Sequence, residues 1–368
     1  MKLTIAKSIL SDAATRAATI ADGKGGSPPI CAFARLRATA GKLTLTSTDL
    51  NVTSIANMPA SVKDTGSLLV EAKRFAQVIG ALPAGDVSLT IDGNFLVVKG
   101  GKSTSRINGQ PDRDYPAVPN PAEAAFAACS PTSLAAMFAR AMPAVSLDET
   151  RGAMAGVLLE MSATTARMVA TDGSRLVRTD CDLGLPARSP VVIPLRGAKA
   201  LREAIKDADG CELAFAGSVM MAKVGDTTIA VKLMDFAFLP YGAVVDAALK
   251  NKSRTVVSRA ALSESLARAQ IMIQKDDKES AHGVKLTIAE DGILIHAIHP
   301  DHGDTREEVE AAMTGEPVTL GVQPRFFRAA LSALDADEVT VTTSGPLDAF
   351  VVRGSSDATI TIIMPMRV

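Results

Sequence analysis

The sequence predicts an α+β chain of three tandem domains, each with two helices packed on antiparallel sheets, at residues 1–118, 124–247 and 250–368. Three observations predict it. The chain has 368 residues, more than the roughly 250–300 that one hydrophobic core usually serves. One grammar of strand, helix and further strands occurs three times at domain spacing. Between the copies lie "NGQPDRDYPAVPNPAEAA" (108–125) and "LPYGAVVDAALKNKS" (239–253), rich in Pro, Asn, Gly and Ala, which read as linkers.

The first element of each copy is a helix: "AKSILSDAATRAATI", "SPTSLAAMFARAMPAV" and "SRAALSESLARAQIMI". Leu10, Leu134 and Leu262 align at spacings of 124 and 128, and apolar residues recur at helical intervals opposite a polar face. Ser130, followed by Pro131, and Ser258 read as N-caps. A second helix follows a strand in "VEAKRFAQVIGALPAG", "VIPLRGAKALREAIKDADG" and "LGVQPRFFRAALSALDADE", with Ala72, Pro194 and Pro324 in one slot before it, 122 and 130 residues apart.

The third element is a strand-turn-strand: "LTLTSTDLNVTS", "ARMVATDGSRLVR" and "ILIHAIHPDHGDTREEVE". Asp49, Asp172 and Asp301 fall in register by spacing, 123 and 129 apart. Asp172, Ser174 and Arg175 could be taken for an acid, a nucleophile and an oxyanion clamp. A catalytic site rarely appears three times at domain period, so Asp172 is read as a turn residue whose carboxylate bonds its own backbone.

Other chemistries are excluded in turn. Cys31, Cys129, Cys181 and Cys211 form no C-x-x-C pair, so no zinc site or disulfide framework is implied and a reducing, cytoplasmic setting is expected. The N-terminus lacks the apolar core of a signal peptide, and no run reaches membrane-spanning length. His296, His299 and His302 are spaced H-x-x-H-x-x-H, yet strand alternation sets His296 and His299 on opposite faces, so no metal is expected. "KGGKSTS" (99–105) lacks the first P-loop glycine, having Leu96 there, and leads into a strand; it reads as a hairpin turn. The formal net charge of −1 gives no global sign of nucleic acid, although it can hide separated basic and acidic faces.

"LTLTSTDLNVTSIA", "VATDGSRLV", "VIPLRGAKALREAI", "KLMD" (232–235) and the C-terminal "IIMPMRV" resemble the bacterial sliding clamp, the beta subunit of DNA polymerase III, along the whole chain. The resemblance implies a non-catalytic processivity factor without cofactor or metal, a head-to-tail homodimer closing a six-domain ring whose helices line a hole. The basic residues should then fall in the six helices. Lys7, Arg16, Lys73, Arg74, Arg140, Arg196, Lys199, Arg202, Arg259, Arg268, Arg325 and Arg328 do so, while acids crowd into "QKDDKES" and "PDHGDTREEVE". Such a lining attracts phosphates without reading bases. Lys73, Arg74, Arg140, Arg196, Lys199 and Arg202, with Lys24 and Arg151, are the implied DNA contacts.

The resemblance further implies a pocket for short peptides of the replicative polymerase, clamp loader and repair proteins. Its positions are Met154, Thr171, Gly173, Arg175, Leu176, Val244, Ile362, Met364, Pro365, Met366 and Arg367. Methionines suit a surface that serves several partners. Ser174, Leu239, Pro240 and Ala243 depart from the family pattern at the pocket rim, as a divergent copy would. For ring closure, Ile271, Met272 and Ile273 map against Arg106 and Ile107 of a second copy, with Lys73 or Arg74 pairing Glu307 or Glu308. The alternative is a peptide-binding adaptor of the same fold, or a triplicated enzyme, without ring-based DNA tethering.

Overall fold

The computed structural model describes residues 1–22, 27–273, 283–355 and 358–367. Seven helices occur among them: α1 (Lys7–Ile20), α2 (Ala72–Ala81), α3 (Pro131–Ala141), α4 (Leu195–Ile205), α5 (Gly242–Ala248), α6 (Arg259–Ile273) and α7 (Pro324–Ser332). The strands pair antiparallel throughout. The chain divides into two compact units, residues 1–134 with 196–234, and residues 135–195 with 235–368. The division falls inside the middle repeat.

In the first unit, thirteen strands follow one hydrogen-bonded order. Strands Phe33–Thr39 and Lys42–Thr48 alternate, with Ala34, Leu36, Ala38, Leu43 and Leu45 buried on one face. α1 and α2 pack side by side and cover that face. α1 presents Leu10, Ala13, Ala14 and Ala17, an i, i+3, i+4, i+7 stripe, and α2 presents Ala72, Phe75 and Ile79. Burying Phe75 or Ile79 fully contributes about 1.5–3 kcal/mol each. Lys7 donates from Nζ to the carbonyl oxygens of Gly80 (2.9 Å) and Leu82, satisfying the end of α2.

The slot that holds Phe75 in α2 and Phe327 in α7, three residues past Ala72 and Pro324, holds Gly197 in α4. A Cβ on Gly197 would meet Val231 Cγ1 at 2.2 Å. The middle copy thus replaces an aromatic plug with direct approach of the helix backbone to the sheet.

In the second unit a nine-stranded sheet and a four-stranded sheet accompany α6 and α7. Their core gathers Leu262, Leu266, Ala269 and Ile273 of α6 and Phe327, Ala330 and Leu331 of α7 against Ile295, Val341 and Phe350. Ser130 and Ser258 cap as expected: the Ser133 and Ala261 amides donate to their hydroxyls at 3.2 and 3.4 Å.

One pairing rule recurs inside both units. The strand after the turn of one repeat pairs with the last strand of the next. Val52–Pro59 pairs with Thr227–Lys232, from Val52↔Val231 to Ala56↔Thr227. Arg175–Cys181 pairs with Thr359–Ile363, from Arg175↔Ile363 to Thr179↔Thr359. The corresponding strand of the third repeat, Gly303–Val309, pairs only with Gly292–His299 among the described residues.

Some expectations change. The second linker carries α5, which buries Val245 and Ala248. The first is pinned by Tyr115, 8% exposed, whose hydroxyl donates toward the carbonyls of Thr46 (3.2 Å) and Phe33 (3.3 Å). "KGGKSTS" is the turn between strands Phe95–Gly100 and Ser103–Gln110, with Gly101 at φ 57°. His299 lies on the buried face of its strand and His296 on the other. His296 pairs with Asp304 at 3.2 Å, and the His299 ring stacks on His302 at 4.3 Å.

Candidate functional site

The turn at Thr171–Arg175 is assembled from its own side chains. Asp172 accepts through Oδ1 from the amides of Ser174 (2.9 Å) and Arg175 (3.1 Å). The Thr171 hydroxyl accepts from the Gly173 amide (3.1 Å) and donates to the Arg175 carbonyl (2.7 Å). Gly173 takes φ 89°, a region that a Cβ disfavours. Asp172 is thereby a turn residue, and Ser174 has no base to activate it within this network.

The turn's product is the placement of Arg175. Its Nε donates to Asp172 Oδ2 at 3.0 Å, one terminal nitrogen donates to the Pro143 carbonyl, and its guanidinium lies 4.2 Å from the ring centroid of Phe326. Burial lowers its pKa from the ordinary arginine value, against the pull of Asp172. Arg325 approaches the same ring at 4.9 Å. Phe326 and the Pro143 carbonyl went unread in the sequence. The pair "FF" at 326–327 carries a signal, since adjacent helical residues cannot both face the core, and Phe327 is the buried one.

The C-terminal strand meets this turn. Leu176 pairs with Ile362, and the Met364 amide donates to the Ser174 carbonyl at 2.8 Å. Met364 is 44% exposed, but Ile362 is 1% exposed and lies within the sheet, so it supports the surface from beneath. Past Pro365 the chain crosses to the four-stranded sheet, where the Met366 amide donates to the Gly321 carbonyl at 2.9 Å, and Arg367 is exposed. Met154 is fixed by its carbonyl, which accepts from the Ser146 amide at 2.8 Å. Val244 stands exposed on α5.

Arg151, expected at DNA, donates to the Asp172 carbonyl at 2.6 Å and lies against Gly173, so it braces this turn. Arg140 is ion-paired with Asp335 at 2.5 Å. Arg196 is held by Asp49 (2.5 Å) and Asp22 (3.3 Å) and donates to the Ile20 carbonyl. These are structural roles that sequence spacing does not reveal. Lys73, Arg74, Lys199 and Arg202 differ: they sit on the outer sides of α2 and α4 and make no ion pair among the described residues. Lys73, Lys199 and Arg196 line one cleft with the end of α1. Lys24 and the "QKDDKES" loop lie outside the described residues.

Of the residues mapped to ring closure, Ile271 is 72% exposed and Met272 is half-buried. Ile273 and Ile107 belong to the chain's own cores at 1% and 5% exposure, which corrects their expected contact role. Glu307 is taken by Arg268 of the same chain at 2.6 Å, whose guanidinium holds its carboxyl below the usual range, leaving Glu308 exposed. Arg106 lies 4.4 Å from the Phe95 ring centroid and 3.3 Å from Asp92.

Comparison with known proteins gives three consecutive family matches. Residues 1–119, 129–240 and 249–367 match the N-terminal, central and C-terminal domains of the DNA polymerase III beta subunit. The chain is 28% identical to the beta sliding clamp of Proteus mirabilis over 354 residues, covering 93% of this chain and 94% of that one. It is 26% identical to the beta sliding clamp of Vibrio cholerae, with both chains covered completely. The crystal structure of the Bacillus subtilis DNA polymerase sliding clamp has the same fold, with a TM-score of 0.93 at 21% identity over 100% of this chain and 99% of that one. With three clamp domains in tandem, the chain belongs to the DNA polymerase III beta subunit family.

Proposed function

We propose that the chain is a DNA sliding clamp, a non-catalytic cytoplasmic processivity factor whose domains span residues 1–118, 124–247 and 250–368 and whose homodimer encircles duplex DNA. The observation that carries the DNA reading is the set of helical cations Lys73, Arg74 and Lys199, exposed, with Arg202 half-buried beside them, none of them ion-paired among the described residues. Cations on separate helices neutralise phosphates without reaching base edges, so binding is sequence-independent and weakens steeply with salt.

Ring closure follows from the pairing rule. Gly303–Val309 stands where Val52–Pro59 and Arg175–Cys181 stand in the other repeats, and Ser103–Gln110 is the last strand of the first repeat. Along Ser103–Asn108 that strand pairs on one side only among the described residues. Applied between two copies, the rule sets Gly303 opposite Arg106 of the partner subunit, antiparallel. Two such contacts close a head-to-tail ring and give each of these two open strand segments a partner.

Peptides of the polymerase and of other clamp clients dock at the turn. Arg175 over Phe326 offers a cation and an aromatic face, Met364 an adaptable apolar one, and the site is uncoupled from chemistry because Asp172 is consumed by the turn. The test is retention on DNA after loading with a clamp loader and ATP. A ring stays on closed circular plasmid and is lost once the plasmid is linearised; equal retention on both forms would sink this reading in favour of an ordinary DNA binder or an adaptor.

A further inference from the structure

Two of the four cysteines are brought together by the fold although 82 positions separate them in number. Strand Ala127–Cys129 pairs with strand Cys211–Ala216 in the register Ala127↔Leu213, Ala128↔Glu212, Cys129↔Cys211. Residues directly opposite on antiparallel strands point to the same face, with Cβ atoms about 4.5–5.5 Å apart and Cα atoms about 4.5 or 5.5 Å apart. Both Cα spacings lie within the roughly 4.4–6.8 Å that a disulfide bridges, and the Cβ atoms reach its roughly 3.5–4.5 Å by a small closure of the strand pair. Neither is in a disulfide, and Cys129 is partly exposed while Cys211 is 4% exposed.

We propose that Cys129 and Cys211 form a peroxide-sensitive dithiol that closes to a cross-strand disulfide, with Cys129 as the residue that meets the oxidant and Cys211 as the one that resolves it. The asymmetry of exposure assigns the roles. The chemistry balances with a hydroperoxide as oxidant. Cys129 first gives up the proton it shares with Cys211; its sulfur then attacks a peroxide oxygen, the O–O bond breaks, and the departing hydroxide takes up a proton as water, giving a sulfenic acid. The Cys211 thiolate then attacks that sulfur, the S–O bond breaks, and a second water leaves; two thiols are oxidised and one peroxide is reduced.

The other thiols are placed differently. Cys31 is fully buried, and burial raises its pKa. Cys181 lies against the Met137 sulfur at 3.1 Å and is likewise raised, mainly by burial. Cys211 moves the other way, because the hydrogen bond from Cys129 outweighs its burial and favours the thiolate. The strand Ala127–Cys129 is three residues long, stands at the end of the sheet order, and receives the chain from the Pro-rich linker. A bridge therefore ties down the element with the fewest ladder bonds and closes a long loop, the case in which a cross-link removes the most unfolded-state freedom.

The experiment is titration of the full-length protein with hydrogen peroxide, read by intact mass and by non-reducing peptide mapping. The expected product is lighter by two hydrogens, carries a 129–211 bridge, reverts with dithiothreitol and melts several degrees higher. Cys211→Ser should instead accumulate a sulfenic acid at Cys129 that a dimedone probe traps, while Cys31→Ser with Cys181→Ser should leave the bridge intact. Stepwise oxidation of Cys129 to sulfinic acid without a bridge in the wild type, a bridge between any other pair, or inertness at peroxide levels that oxidise Cys181 would each overturn the proposal.

Discussion

The turns at Thr48–Val52 and Thr171–Arg175 are built alike and serve different ends. In each, an aspartate Oδ1 accepts from the amides two and three residues on, Asn51 and Val52 in one, Ser174 and Arg175 in the other. A threonine hydroxyl accepts from the amide two residues on, Leu50 or Gly173, and donates to the carbonyl four residues on. Both take positive φ at the residue after the aspartate, 76° at Leu50 and 89° at Gly173. The difference is where the second carboxylate oxygen goes. Asp49, 3% exposed, receives Arg196 from α4; Asp172 receives Arg175 of its own turn and sets that guanidinium over Phe326. One copy locks a helix to a sheet, and the other displays a side chain.

The largest effect should come from breaking the lock. Asp49→Ala removes the acceptor for two amides and releases Arg196, at an expected loss of about 2–3 kcal/mol in stability by urea unfolding. Asp172→Ala, in a more exposed turn, should lose clearly less. Equal losses would mean that the two turns carry equal structural weight.

Gly197→Ala sharpens the same contrast between copies. Alanine ordinarily strengthens a helix by up to about 1 kcal/mol relative to glycine. Here the added methyl would overlap Val231, so a net loss of about 1–3 kcal/mol is expected in the same unfolding measurement. A gain in stability would show that α4 shifts freely on its sheet.

For the displaying turn, Arg175→Ala should lower stability by about 1–2 kcal/mol through the lost contacts to Asp172 and Pro143 while leaving the protein folded, and weaken a labelled polymerase-type clamp-binding peptide about tenfold, or about 1.4 kcal/mol, in an anisotropy titration. Unchanged affinity would place docking away from Phe326 and Arg175.

What could be read in the sequence was whatever repeats locally. The helix stripes, the serine caps at Ser130 and Ser258 and the aspartate turns depend on residues a few positions apart, and they appear as expected. Partner choice across long separations was not readable. Nothing near Asp49 names Arg196, and nothing near Cys129 names Cys211, because both meetings depend on sheet order. The third turn also misled. His299 pairs with Gly303, one residue closer than Thr48 with Thr53 or Thr171 with Leu176. His299 takes the threonine's part, accepting through Nδ1 from the Asp301 amide at 3.1 Å, and Pro300 stands in the aspartate's place. Spacing alone aligns Asp301 with Asp49 and Asp172; because the third turn is one residue shorter, Asp301 stands at the position of Leu50 and Gly173.

That position supports the finest distinction between the turns. Leu50, 48% exposed, is the one non-glycine residue with positive φ among the described residues. A leucine there bears about 1–2 kcal/mol of steric strain, whereas glycine adds unfolded-chain freedom of about 0.5–1 kcal/mol. Leu50→Gly should therefore leave a small net gain, about 0.5–1 kcal/mol, in equilibrium unfolding. Gly173→Leu should lose more than that gain, since its side chain would also meet the Arg151 guanidinium 3.1 Å from the Cβ site and disturb the brace on Asp172. If Leu50→Gly proves destabilising, packing of the half-covered leucine side chain outweighs its backbone strain, and the first turn would then depend on the side chain at this position as well.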